Sequence, residues 1–271
     1  VLIGGLTGIS IGKLFVAGVI PGLVMALVLL IWVGIRSRRM PHVKVDEIFP
    51  RHANALISAL HLAFAFAIPV VILGSIIFGF ATVTESAAFG CALAAIGLVT
   101  VFGVRDPRTI FDALRNSAMT SGSILIALAA SAVVGWIMAR EGLGAHIGQF
   151  LLRFSSQPML LWFLIVTALL LLGLALEPIP IILILTPIMY PQLASLGIDP
   201  IHFSVVMTVT LMIGLISPPV GLILFTVAMT SGVPLAPMMR ASWPYVGLLA
   251  IAAYILAFVP ALTLWLPSFM K

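Results

Sequence analysis

Apolar residues in this chain do not alternate with polar ones. They run on for twenty or more positions and are then cut by short basic or polar pieces. Such runs predict membrane-crossing helices, because a hydrocarbon core takes about 20 apolar residues to traverse. Leu14–Ile35 is a first span, with Pro21 in its outer part, and it ends in 36-RSRRMPHVK-44. The segment 46-DEIFPRHANALISALHLAF-64 is charged at its start and apolar afterwards, which predicts an amphipathic interfacial helix. Ala65–Phe80 then crosses, 79-GFATVTESAAFG-90 turns, and Ser86–Val104 returns to a second basic loop, 105-RDPRTIFDALR-115. Asn116–Ala139 crosses again. The final span is expected at Trp243–Leu266, with Trp243, Tyr245 and Trp265 near its ends as interfacial aromatics.

Two longer runs do not fit single spans. Phe154–Ile198 holds one charge, Glu177, in 45 residues. As a straight helix it would measure ~67 Å at 1.5 Å per residue, against a core of ~30 Å. The chain must fold back, and 173-GLALEPIPII-182 marks the place, with Glu177, Pro178 and Pro180 together. Two full spans and a re-entrant helical hairpin over about 157–198 both satisfy the count. The absence of Lys or Arg at the turn favours the hairpin. The second run, 200–239, carries Gly214, Ser217, Pro218 and Pro219 at its centre. Adjacent prolines remove two backbone donors, so an interrupted helix is expected over about 201–232. The predicted fold is an all-α integral membrane protein with about six to eight membrane segments.

Composition agrees. The 271 residues are 62% hydrophobic and 8% charged, with a net charge of +5, where soluble domains carry about 25% charged residues. The basic residues lie between the apolar runs, which is a topology signal placing loops 36–44 and 105–115 in the cytoplasm. No basic face with interleaved aromatics is present, so nucleic acid is not expected as a partner. The one cysteine, Cys91, excludes a disulfide framework and is expected to be buried. His42, His52, His61, His146 and His202 have no metal-ligand spacing and are expected at the surface. No nucleophile–base pair or Gly-rich phosphate loop is present, so no enzyme activity is expected. The chain begins with Val1 and has no charge in its first twelve residues, as expected of one piece of a longer polypeptide.

The chemistry concentrates at the two breaks. An ionisable residue within a membrane is a candidate functional group by default, which singles out Glu177 as an ion or substrate ligand. The alternative is that Glu177 caps the helix beginning at Pro178. Non-helical backbone survives at membrane depth only when protein or a water-filled cavity surrounds it. At Gly214–Pro219 such backbone frees carbonyls, and Ser217 adds a hydroxyl; oxygen ligands of this kind suit a small hard cation such as Na⁺. At the outer turn, Glu85 after Thr82 is expected to be a helix-start carboxylate.

At these residues the sequence resembles the large membrane subunit of TRAP transporters, the tripartite ATP-independent periplasmic family. The resemblance runs through 11-IGKLFVAGVIPG-22, 73-LGSIIFGFATVTESAA-88, 173-GLALEPIPIILILTPIMYP-191, 197-GIDPIHF-203 and 212-MIGLISPPVGLILF-225. It implies Na⁺-driven import of carboxylate-bearing solutes such as C4-dicarboxylates or sialic acid, in the bacterial inner membrane, as a multi-pass protein. It also implies an elevator built from two inverted repeats, of which this chain looks like one half. Residues 1–62 would be the end of the N-terminal repeat with a connecting helix, and 63–271 the C-terminal repeat. Implied partners are a periplasmic substrate-binding protein, a small membrane subunit, the remaining N-terminal part of the large subunit, and membrane lipid.

Carried over by residue, the expected Na⁺ site is Gly214, Leu215, Ile216, Ser217, Pro218, Glu177 and Pro178. The expected substrate contacts are Ile179, Pro180 and Pro219. Gly79, Thr82, Glu85, Thr186 and Pro187 belong to structural motifs. The family's usual Gly-x-x-Thr-Pro becomes Gly79-Phe-Ala-Thr82-Val83 at the first site and Gly214-Leu-Ile-Ser217-Pro218 at the second. Two alternatives are an ion-coupled carboxylate transporter needing no binding protein, and a structural subunit that carries nothing.

Overall fold

The computed structural model describes residues 1–38, 55–154, 157–193, 195–218, 221–231 and 233–270. Among them every regular element is helical: α1 Leu2–Thr7, α2 Ile11–Ala17, α3 Val19–Ser37, α4 Ala55–Ile77, α5 Val83–Thr100, α6 Pro107–Arg140, α7 Leu143–Leu152, α8 Pro158–Ala175, α9 Pro178–Leu193, α10 Pro200–Gly214, α11 Leu222–Ser231, α12 Leu235–Phe258 and α13 Ala261–Leu264, then a 3₁₀ turn at Pro267–Phe269. Among the described residues six stretches are long and apolar enough to cross a membrane, and α9 and α10 are shorter apolar helices. The chain is therefore an all-α, multi-pass membrane protein.

Compactness divides it into two units, residues 39–123 and residues 1–38 with 124–271. The repeat boundary expected at residue 62 is a matter of internal symmetry, which compactness does not address. The start of the expected interfacial helix, with His52, lies outside the described residues. From Ala55 the chain is one continuous helix through Ile77, with Pro69 inside it.

In the unit of residues 39–123, α4 and α5 form a close pair. Small residues on α5 admit large ones from α4. A β-carbon on Gly90 would lie 2.8 Å from Ile72 Cγ1, and one on Gly97 would lie 3.0 Å from Phe64 Cδ1. Polar groups fasten both ends. Ser75 Oγ donates to Ser86 Oγ at 2.8 Å, and His61 Nε2 lies 3.2 Å from the Val101 carbonyl while its ring stacks on Phe102. The turn between them uses Gly79 in the left-handed region at φ 72°.

α5 then opens with a capping box. Thr82 Oγ1 accepts from the Glu85 N–H, and the Thr82 N–H donates to Glu85 Oε2 at 2.7 Å. Glu85 is thus a helix-start carboxylate, as expected. Val83 stands at N1, a position where proline's missing N–H would cost nothing. Thr82→Ala is expected to lower stability by about 1 kcal/mol, read as a lower unfolding temperature in detergent with no change in transport. Asp106 does similar work before α6. It accepts from the Arg108 N–H and the Thr109 hydroxyl, and these bonds hold its carboxyl below the usual range.

Cys91 is exposed on α5 rather than buried. The expectation followed from its apolar surroundings, but in a membrane helix apolar residues also point outward. The last span is corrected as well. It runs over Leu235–Phe258, not Trp243–Leu266, because Pro260 ends the ladder and the chain continues as the separate turn α13.

The other unit is built around α10. Every residue from His202 to Met207 is buried, as are Thr210, Leu211, Ile213 and Gly214. α8 packs on it through the stripe Leu161, Trp162, Ile165, Val166, Leu169 and Gly173, a spacing that keeps one helical face turned inward. α9 and α12 also pack on α10, and α9 lies in turn against α1 and α7. Ile182, Met189, Leu193, Leu249 and Ala253 complete the core between these helices.

Candidate functional site

Both expected breaks are present. α8 ends at Ala175 and α9 begins at Pro178. The Leu176 N–H bonds back to the Leu172 carbonyl at 2.9 Å. Pro178 has no N–H to offer Leu174, whose carbonyl loses its usual donor four residues on. Glu177 sits in this two-residue link and is exposed. Among the described residues it makes no hydrogen bond and no ion pair, so the alternative reading of Glu177 as the cap of α9 is not realised. Ile179 and Pro180 follow in the first turn of α9, half-buried. Thr186 and Pro187 lie inside α9; Thr186 is fully buried, and its hydroxyl has no partner among the described residues.

The second break begins where α10 tightens. The N–H groups of Leu215, Ile216 and Ser217 reach back only three residues, to the carbonyls of Met212, Ile213 and Gly214 at 3.2, 3.2 and 3.0 Å. The Leu211 carbonyl therefore loses its donor four residues on, and Pro218 can supply none to Gly214. Pro219 lies outside the described residues. Gly221 takes a left-handed conformation at φ 43°, and α11 starts at Leu222. The Ile223 N–H bonds to the Leu215 carbonyl at 3.1 Å and closes the loop.

Ser217 is buried, and its Oγ donates to the Ile213 carbonyl at 2.7 Å. With its only proton committed to that carbonyl, the hydroxyl keeps lone pairs available to accept or to ligate. Thr210, about two turns earlier on α10, is also fully buried, with a hydroxyl unpartnered among the described residues.

The two breaks start from one point. A β-carbon built on Gly214 would overlap the Gly173 carbonyl oxygen and lie 2.8 Å from Gly173 Cα. One built on Gly173 would lie 3.3 Å from the Leu211 carbonyl oxygen. α8 and α10 thus cross with their backbones in contact, four residues before Glu177 and three before Ser217. The structure brings Gly214, Leu215, Ile216, Ser217 and Pro218 to the end of α10 and sets that end beside the end of α8. Gly79, Thr82 and Glu85 belong to the other unit, where they form the turn and cap described above. A cavity of about 190 Å³, lined by residues that include Ile3, Ile11, Phe15, Ser204 and Thr208, contains none of the expected site residues.

Sequence reasoning missed Gly173, because nothing local shows which glycine meets another helix. It also misplaced His202, which is buried, not at the surface. Its Nε2 lies 3.2 Å from the Ala257 carbonyl, its Nδ1 lies 2.7 Å from Thr263 Oγ1, and its ring stands edge-on to Trp162. A carbonyl only accepts, so the bond network assigns the ring proton to Nε2; the Thr263 hydroxyl, with one proton, lies between Nδ1 and the Pro260 carbonyl at 2.9 Å. Pro260 prevents the next turn of α12 from forming, and the imidazole supplies a donor at that end.

Compared with known proteins, residues 1–262 match the family described as "Tripartite ATP-independent periplasmic transporter, DctM component". The chain belongs to this TRAP permease family. It is 34% identical to the C4-dicarboxylate TRAP transporter large permease protein DctM of Pseudomonas aeruginosa, over 97% of this chain and 61% of that protein. It is 31% identical to the sialic acid TRAP transporter large permease protein SiaM of Vibrio cholerae, over 99% of this chain and 62% of that protein. It is 29% identical to the 2,3-diketo-L-gulonate TRAP transporter large permease protein YiaN of Escherichia coli, over 97% of this chain and 61% of that protein. The chain thus spans about three-fifths of the length of these TRAP permeases. The family is one of transporter permeases rather than enzymes.

Proposed function

We propose that this chain forms part of a permease that imports an organic acid with Na⁺, delivered by a periplasmic binding protein, through an elevator motion in the bacterial inner membrane. The observation that carries this reading is the meeting of two helix interruptions at the Gly173–Gly214 crossing. Breaks of this kind present carbonyls and a hydroxyl to a small cation while proline keeps the ladder open. Gly214, Leu215, Ile216, Ser217 and Pro218 supply the oxygen-rich side. Glu177 and Pro178 lie at the neighbouring break, with Ile179, Pro180 and Pro219 as substrate contacts. The names of the relatives support an organic-acid cargo, a C4-dicarboxylate, a sialic acid or a related carboxylate. Family membership supports a small membrane subunit, the rest of the large subunit and membrane lipid as further partners.

The test is Ser217→Ala in the full-length permease, reconstituted with its small subunit and binding protein. The Na⁺ concentration for half-maximal uptake is expected to rise about tenfold, the equivalent of one hydrogen-bond-sized contact of ~1.4 kcal/mol, at unchanged protein yield. Ser217→Thr keeps the hydroxyl and is expected to preserve Na⁺ dependence. An unchanged Na⁺ requirement in Ser217→Ala would remove this residue from the site. Uptake without any binding protein would favour a binding-protein-independent carrier instead.

A further inference from the structure

The oxygen groups of the proposed site cannot hold one ion or one anion unless the two breaks keep a fixed separation. Ligand constellations work within about 0.5 Å of their productive geometry. In this structure the α8–α10 contact nearest to both breaks is backbone on backbone. The Gly173 backbone lies directly on Gly214, with no side chain between them. Close approach, and not backbone conformation, is what makes Gly173 a glycine. Its φ is not in the left-handed region, and it sits in the last turn of α8, where glycine costs about 1 kcal/mol relative to alanine. It is also buried on the face that α8 turns to α10.

The two glycines are not equivalent. A β-carbon on Gly214 would occupy the position of the Gly173 carbonyl. One on Gly173 would meet the Leu211 carbonyl oxygen at 3.3 Å, Leu211 Cα at 3.5 Å and Gly214 Cα at 3.6 Å. The first demands that the helices separate; the second asks for a shift of a few tenths of an ångström. Leu211 is also the residue whose carbonyl loses its donor as α10 tightens, so pressure there falls on the start of the break.

We infer that Gly173 is a positioning residue for the proposed site, holding the Leu176–Glu177 break in register with the Leu215–Pro218 break without contacting ion or substrate. This rests on the reading that the two breaks form one site. Gly173→Ala acts as a thin wedge and Gly173→Leu as a thick one. Gly122, where an added β-carbon meets nothing within 4 Å, is the control.

The experiment uses the purified full-length permease with its small subunit and takes two readouts. The first is Na⁺-dependent thermal stabilisation, with K⁺ at equal ionic strength as reference. Gly173→Ala is expected to raise the midpoint Na⁺ concentration three- to tenfold while the unfolding temperature without Na⁺ stays close to wild type. Gly173→Leu is expected to abolish the Na⁺ response, and Gly122→Ala to leave it unchanged. The second readout is spin–spin broadening between nitroxides at Leu176 and Met212, both exposed, in a cysteine-free background. It is expected to weaken progressively from wild type through Ala to Leu. A midpoint unchanged in Gly173→Ala and Gly173→Leu would overturn the inference, as would identical broadening in all three. If wild type shows no Na⁺ stabilisation, the Na⁺ reading fails by itself, and the broadening series alone decides whether Gly173 sets the register.

Discussion

Gly214→Ala is expected to reduce uptake at least tenfold in the assembled transporter, at any Na⁺ concentration. The new methyl would occupy the space of the Gly173 carbonyl. Backbone cannot rotate away as a long side chain can, so α8 and α10 must part. Overpacking of this kind costs typically 1–3 kcal/mol of stability, and displacement of reacting groups by 1 Å can cost about a hundredfold in rate. The loss should therefore fall more heavily on transport than on folding. Gly247→Ala, at a position on α12 where a β-carbon would meet nothing within 4 Å, is the matched control. Radiolabelled uptake alongside protein yield separates the two effects. Near-normal uptake in Gly214→Ala would show that the crossing yields more easily than its geometry implies.

His202→Ala should be the more damaging change to stability, by roughly 2–5 kcal/mol. Removing a buried ring leaves a cavity beside Trp162, and an unpaired buried acceptor adds about 1–3 kcal/mol. The Ala257 carbonyl would lose the imidazole donor at the end of α12. The Thr263 hydroxyl would turn wholly to the Pro260 carbonyl, 2.9 Å away, which already accepts from the N–H groups of Thr263 and Leu264. Thermal unfolding of the detergent-solubilised permease should fall clearly for His202→Ala. It should fall less for His202→Gln, which retains an N–H donor. Equal unfolding temperatures for His202→Ala and wild type would mean that the α10–α12 bond contributes nothing net.

Much of this architecture was legible because the membrane removes choices. Long apolar runs had to be helices, and a 45-residue run had to turn. Proline placed both interruptions, since no side chain can replace a missing backbone N–H. The Thr82-x-x-Glu85 spacing held the capping box in plain view, although only Glu85's half of it was anticipated. What stayed hidden was tertiary. Cys91 and His202 both sit in apolar helices, and the pattern does not tell outside from inside when the solvent is lipid. One proved exposed and the other buried. Pro244 lies within α12, whereas Pro260 ends it, and the sequence marks both alike. Glu177 drew notice by its isolation, yet its carboxylate stands exposed and unbonded among the described residues. Gly173 drew none, because its meaning lies in a glycine 41 residues away.

That crossing also has a genetic consequence. Every substitution at residue 214 adds at least one carbon, and a second-site suppressor would ordinarily act by shrinking the neighbour. Here the neighbour is Gly173, which has nothing left to remove. A selection for regained growth from a Gly214→Ala strain should therefore return true revertants to glycine, or changes that reseat α8 as a whole, and no compensating allele at residue 173.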